Sequence, residues 1–309
     1  MWKSQASLVT LKRRAQLLAD CRSFFSSRKV LEVELPALGE TGVTDPWIEC
    51  FQTDGYSLQS SPEYFMKRLL ASGCGDIYSL AKAFRKEEAG RYHSPEFTLL
   101  EWYRLGFDDR ELANEVVALI EWLVGHNVQT HFETYASLFE RHCAINPHQA
   151  TDGELQALAR ANLDFTGDLA SRSAWFDLIF THIVEPAMGQ DLWVVYDYPV
   201  CQAALARKGR NEEGDEVARR FEVYWRGVEL ANGYWELTDE AEQAARFQAD
   251  LALRAKLGKP LPKIDAKLLG ALAAGLPDCA GVALGIDRLL MCICELDDIQ
   301  QVQTFTLPG

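Results

Sequence analysis

The chain contains no CxxC pair, no leader-like opening and no long apolar run, and each absence narrows its class. Its eight cysteines are scattered, with only Cys292 and Cys294 close together, and its six histidines supply no cluster. Structural zinc needs ligands in close pairs, so neither a zinc site nor a disulfide framework is expected, and reduced thiols fit best. The opening MWKSQASLVTLKRRAQLLAD has no apolar core followed by a small-residue cleavage site, so no secretion signal is expected. No stretch reaches the roughly 18 to 20 apolar residues that span a bilayer. A cytoplasmic protein without membrane association is the expectation. Positive charge is also short: 31 Lys and Arg stand against 45 Asp and Glu, a net charge of −14. Sequence-independent binding to nucleic acid rests on phosphate neutralisation and is disfavoured, although a local basic patch stays open.

What is present suits a folded protein, with 48% hydrophobic and 25% charged residues in 309. Residues 7 to 28 carry apolar side chains at helical spacing. VLEVELPAL alternates up to Pro36 and predicts a strand, and PEYFMKRLLASG predicts a helix opened by Pro62 and closed by Gly73. FRKEEAGRYHSPEFTLLEWY, from Phe84 to Tyr103, predicts strand, loop, strand, with helix resuming near 109. WVVYDYP and FEVYWRGVELANGYWEL predict a buried strand and an antiparallel hairpin, and a polar helix follows from Asp239. GVALGIDRLLMCIC runs from a glycine-bearing strand into an apolar helix. Strands and helices mix without regular βαβ alternation, so an α+β fold on an antiparallel sheet is expected. No repeat or linker divides it, and one domain over 1–309 is the reading.

Three stretches carry charges placed within apolar sequence. On a strand, Arg85 and Glu87 would project to one face, as a solvated ion pair or as a fork for phosphate or carboxylate. With Arg226-Gly227 as the turn, Trp225 faces Val228 and Tyr224 faces Glu229. Glu222 and Glu229 then become diagonal neighbours about 7 to 8 Å apart at the backbone. Two such carboxylates are either simply exposed or share a cation, for which magnesium with nucleotide phosphates is suited. Arg288 falls in the first turn of the last helix, where a cation opposes the helix dipole and suggests an anionic ligand.

FRKEE with HSPEF, the glutamate-bearing hairpin and GVALGIDRL resemble motifs 2 and 3 of the class II aminoacyl-tRNA synthetases. VLEVELPAL is similar to motif 1, and SSPEYFMKRLLASG with ELANGYWELTD narrows the resemblance to the lysyl branch. The resemblance covers nearly the whole chain. It implies a catalytic core with a six-stranded antiparallel sheet flanked by helices, ATP as substrate, Mg2+, and a homodimer through motif 1. Arg85 would contact the α-phosphate and Glu87 the adenine side, Phe97 would stack on adenine, and Arg288 would clamp the γ-phosphate. Lys86, Ser94, Glu229, Leu230 and Gly285 would complete the ATP site; Lys86 and Ser94 stand where the family carries asparagine. Glu222 and Glu229 would hold the metal. Ser61, Pro62 and Glu63 with Glu101 would face the amine of the amino acid, and Asn232 its carboxylate. Tyr103 and Glu236 would hold a distal ammonium.

Only the residues before Val30 precede motif 1, too few for the five-stranded anticodon-binding barrel of a lysyl-tRNA synthetase. That combination resembles the truncated paralogues that attach (R)-β-lysine to a lysine of translation elongation factor P, without anticodon recognition. Ala231 stands where lysyl-tRNA synthetases carry glycine, and its methyl would shift the preferred amine position by about 1 kcal/mol of discrimination. A free-standing enzyme charging tRNA or a small amine is the rival expectation. An inactive paralogue acting as a binding subunit is another, and the presence of Arg85, Glu222, Glu229 and Arg288 argues against it.

Overall fold

The computed structural model describes residues 2–86 and 88–306. Its centre is a nine-stranded sheet in the order β1 (Leu31–Glu32), β5 (Ile77–Phe84), β6 (Glu96–Leu105), β12 (Cys279–Gly285), β11 (Val228–Trp235), β10 (Glu216–Trp225), β8 (Leu192–Pro199), β7 (Thr130–Thr134). The short β9 (Lys208–Arg210) pairs with β10 off this path. A small sheet of β2 (Leu38–Gly39), β4 (Tyr56–Leu58) and β3 (Gln52–Thr53) lies apart. The expectation of six antiparallel strands holds for the run from β5 to β8, but β1 and β7 add parallel pairings at the two edges. The strand expected over VLEVELPAL shrinks to Leu31–Glu32, held by the amides of Leu31 and Val33 on carbonyls of Asp76 and Tyr78. Beyond it Pro36 has no amide to offer a ladder.

One sheet face is sealed by α1 (Leu8–Ser27), α3 (Asp109–Val124) and α9 (Ile286–Cys294), whose Leu17, Phe25, Val116 and Leu289 pack on Leu100, Trp102, Val282 and Leu284. Two of these helices start where the sequence supplies a partner for free amides. Ser7 caps α1, and Asp108 with Glu111 forms a capping box on α3. Between β7 and β8 lie α4 (Tyr135–Cys143), α5 (Asp152–Asn162) and α6 (Arg172–Ile179), which build a second core on β8 and β10. The third core joins α2 (Glu63–Ala71) to α7 (Glu240–Lys256) and α8 (Ala266–Gly275), beside Ile77, Tyr103 and Cys279. Among the described residues, no helix is long and apolar enough to cross a membrane.

The odd pattern of FRKEEAGRYHSPEFTLLEWY follows from this layering. In β6, Leu100 and Trp102 enter the sealed core, so Leu99, Glu101 and Tyr103 face the other way. The two faces are tied together at Asp287, buried in the first turn of α9. Its carboxylate accepts from the Thr98 amide (2.6 Å) and from Arg14 of α1 (2.7 Å), while Arg14 also donates to Thr98 Oγ1 (2.7 Å). Replacing one member of such a buried pair leaves the other charge unmatched. Asp287→Ala should therefore lower unfolding stability by about 3 to 5 kcal/mol. Chemical denaturation measures this, and an unchanged midpoint would show that the link is dispensable.

Candidate active site

A cavity of about 500 Å³ opens on the sheet face opposite α1, α3 and α9. Its floor is the central strands, because their alternate side chains point away from the core. β6 supplies Leu99, Glu101 and Tyr103, and β12 supplies Gly281, Ala283 and Gly285. β11 would alternate out of phase, since Glu229 and Asn232 are an odd number of residues apart. The ladder solves this with a bulge: Tyr224 pairs with Glu229 and Val223 with Ala231, leaving Leu230 unpaired. Leu230 and Ala231 both join the core, and Glu229, Asn232, Tyr234 and Glu236 all reach the cavity. The turn and both pairs expected for the hairpin are present, and Glu222 and Glu229 stand as diagonal neighbours.

At one end of the cavity three carboxyl groups meet. Glu101 accepts from Ser61 Oγ (2.6 Å) and from the Tyr103 hydroxyl (2.9 Å). Lys67, only 1% exposed, places Nζ 2.6 Å from Glu63 and 2.7 Å from Glu236. Burial alone would push that ammonium down, but Glu236 and Glu63 together outweigh it and hold Lys67 above its ordinary value. Burial, reinforced by Glu63, pushes the Glu101 carboxyl up to about 8. Burial also pushes Glu236 to about 8, despite Lys67, and its Oε1 has no hydrogen-bond donor. Gly281 keeps this corner open, because a Cβ there would meet the Tyr103 ring at 2.2 Å and Glu236 Oε1 at 2.5 Å.

At the other end stand two arginines. Arg85 donates to Glu88 (3.0 Å), and its guanidinium lies 5.1 Å from the centre of the Phe97 ring. Arg288 donates to the carbonyls of Tyr92 (3.1 Å) and Glu229 (3.0 Å) and contacts His93 Nε2. Burial first, then the Arg288 charge, pushes His93 below its ordinary value, so a neutral imidazole accepts from Arg288. Ser94 is buried in the wall between these groups. The shared strand face expected for Arg85 and Glu87 is not formed. β5 ends at Phe84, so Arg85 sits in the following loop, pinned by its amide to Pro95, and Glu87 lies outside the described residues.

A second, adjoining cavity is lined by Glu222, Glu229, Glu185 and Asp177. Glu222 accepts from Tyr198 (2.7 Å), from Tyr224 and from Arg220. Burial and the neighbouring acids push Glu185 up to about 7, and burial with Glu222 raises Glu229. Among the described residues no group of three or more His, Cys, Asp or Glu forms a metal cage. The donor set instead suits a hard cation that brings phosphate and water oxygens of its own and takes one or two carboxylates.

Most expected residues thus converge, with two departures. Pro62 caps the start of α2 and does not line the cavity, and neither does Lys86, whose amide binds the Glu49 carbonyl. Ala231 packs in the core and also lines the cavity, as does Ala283, which stands opposite both Glu101 and Asn232 in the ladder. Lys67, Glu88, Arg220 and Glu185 were not singled out in the sequence. Lys67 did leave a signal, as an i,i+4 partner of Glu63, but that spacing reads as a surface pair until Glu236 is placed beside it.

Residues 2–307 match the family model described as tRNA synthetases class II (D, K and N). The chain is 47% identical to the elongation factor P–(R)-beta-lysine ligase of Vibrio cholerae, over 99% of this chain and 98% of the relative. It is 43% identical to the protein of the same name in Mannheimia succiniciproducens, over 98% and 97%. The acid corner makes its own prediction. Carboxyls raised to about 8 are largely protonated at neutral pH and must ionise to receive ammonium groups. Binding of a diamino acid at pH 7 should therefore release protons, and release should fade above about pH 8. Calorimetry in buffers of different ionisation enthalpy measures it, and a heat independent of buffer would contradict the assignment.

Proposed function

The chain belongs to the class II tRNA synthetases of the D, K and N type and, within them, to the family of the elongation factor P–(R)-beta-lysine ligases, and we propose that it activates (R)-β-lysine, or lysine, with ATP and transfers it to a lysine ε-amino group of elongation factor P. One observation carries this reading. A single cavity presents carboxylates at one end (Glu63, Glu101, Glu236) and guanidinium groups at the other (Arg85, Arg288). That polarity fits a molecule with two ammonium groups and one carboxylate laid against a polyphosphate.

Under this reading Glu63 and Glu101 receive the amine near the carboxylate, Tyr103 and Glu236 face the distal ammonium, and Asn232 faces the carboxylate. Phe97 supplies a flat apolar surface for the adenine, and Ser94, Leu230 and Gly285 complete that wall. Arg85 and Arg288 exchange their present partners, Glu88 and the Tyr92 and Glu229 carbonyls, for phosphate oxygens. The amino acid carboxylate, already ionised, attacks the α-phosphorus in line, the bond to the bridging oxygen breaks, and pyrophosphate leaves. Positioning and charge stabilisation by Arg85 supply the catalysis. The recipient amine then attacks the acyl carbon, an amide forms, and AMP departs. Glu222 and Glu229 would hold magnesium, which when bound offsets phosphate charge. Work on a translation factor places the enzyme in the cytoplasm, and the motif 1 segment suits a homodimer.

The test is ATP–pyrophosphate exchange dependent on a diamino acid, followed by transfer of labelled β-lysine to purified elongation factor P. Exchange without label on the factor, or label on tRNA instead, would overturn the acceptor. Glu236→Gln should raise KM for the diamino acid roughly tenfold or more, the scale of a hydrogen bond to charge, and leave KM for ATP nearly unchanged. Equal losses for both substrates would remove Glu236 from the amine pocket.

A further inference from the structure

With its carboxyls ionised to receive ammonium groups, the acid corner holds more negative charge than a diamino acid can match. Glu63, Glu101 and Glu236 together carry three carboxylates, and a diamino acid brings two ammonium groups. The surplus is met from within the chain. Lys67 comes from α2, one turn after Glu63, and is as buried as Glu236 (1% exposed each). It bridges Glu63 and Glu236 at 2.6 and 2.7 Å. Glu236 Oε2 is in ion-pair contact with Lys67, but neither Glu236 oxygen accepts a hydrogen bond, while Glu101 is satisfied separately by Ser61 and Tyr103. Three carboxylates less one internal ammonium leave a deficit of two positive charges.

We infer that Lys67 is a positioning residue that sets the charge of the amine pocket, so that the pocket with its carboxyls ionised is neutral only when it holds a doubly cationic amino acid. The inference rests on the reading of this cavity as a diamino-acid site. Lys67 acts through Glu63 and Glu236 and needs no contact with the substrate. It aims both carboxylates and favours their ionised forms once the ligand binds, and it penalises a monoamine, which would leave one negative charge buried and unmatched or one carboxyl still protonated. A lysine that merely stapled α2 to the sheet would need only one carboxylate partner. The second, buried and with neither oxygen accepting a hydrogen bond, is what a ligand subsite requires.

The experiment is a double-substitution cycle of Lys67→Met and Glu236→Gln, read as KM for the diamino acid and for ATP in pyrophosphate exchange, with melting temperatures alongside. Lys67→Met leaves a pocket one charge too negative and should raise KM for the diamino acid roughly 30-fold or more. Glu236→Gln leaves Lys67 facing the incoming ammonium with a single partner. Removing both charges restores the deficit of two, so the double variant should use the diamino acid better than either single variant. KM for ATP should stay within about twofold throughout, as expected for groups that do not touch the nucleotide. Losses that multiply in the double variant, or a Lys67→Met enzyme with the wild-type KM, would overturn the inference. If Lys67→Met alone does not fold, the double variant, a neutral replacement of a buried pair, still decides by comparison with Glu236→Gln. Failure of the wild-type protein to exchange with any diamino acid would instead defeat the underlying reading.

Discussion

A carboxylate removed from water must find a cation, a proton or several donors, and three of them meet on one face of this sheet. Glu101 takes donors from Ser61 and Tyr103, while Glu63 and Glu236 share Lys67. The arrangement is costly as pure architecture, because apolar side chains would fill the same volume without any desolvation penalty. It becomes intelligible when the face is a binding surface whose ligand completes the charge. The rest of the structure serves that end: α1, α3 and α9 seal one side of the strands so that the other side can stay polar. Gly281 gives up its side chain so that Tyr103 and Glu236 can approach the backbone.

The arginine end obeys the same constraint with the sign reversed. Arg85 and Arg288 are not free in the cavity but held by Glu88, by the carbonyls of Tyr92 and Glu229, and by a neutral His93. A guanidinium bonds carboxylate, carbonyl and phosphate oxygens with the same fork, so phosphate can take over from these partners on binding. Asp287 adds stiffness, fixing the first turn of α9 to β6 and α1 immediately before Arg288. Positively and negatively charged ends held about one cavity length apart define which molecules fit in which direction.

Much of this was legible in the sequence where local rules suffice. The hairpin register followed from Arg226-Gly227 and the alternation around it, and α2, α3 and α7 started at or next to the residues that mark them. The motifs around Arg85, Glu229 and Arg288 sat in the right order to suggest the site. What stayed hidden depended on contacts between distant segments. The bulge at Leu230 is a one-residue slip that period-two alternation cannot contain, and it brings both Glu229 and Asn232 to the cavity. Arg85 left the strand face because β5 stops at Phe84. The edge strands β1 and β7 are short, and parallel pairing leaves little pattern in so few residues. Lys67 appeared as half of an ordinary helical ion pair, and only the fold brings Glu236 to its other side.

The account's central claim is that the acid corner receives the two amines while the arginine end receives the phosphates. A structure of the protein with a non-hydrolysable diaminoacyl-adenylate analogue tests it most directly. The predicted result places the two ammonium nitrogens at about 2.7 to 3.2 Å from carboxylate oxygens of Glu63, Glu101 or Glu236, with Lys67 still bridging and the phosphate beside Arg85. An analogue bound in the opposite sense, with its ammonium groups toward Arg288, would contradict the account.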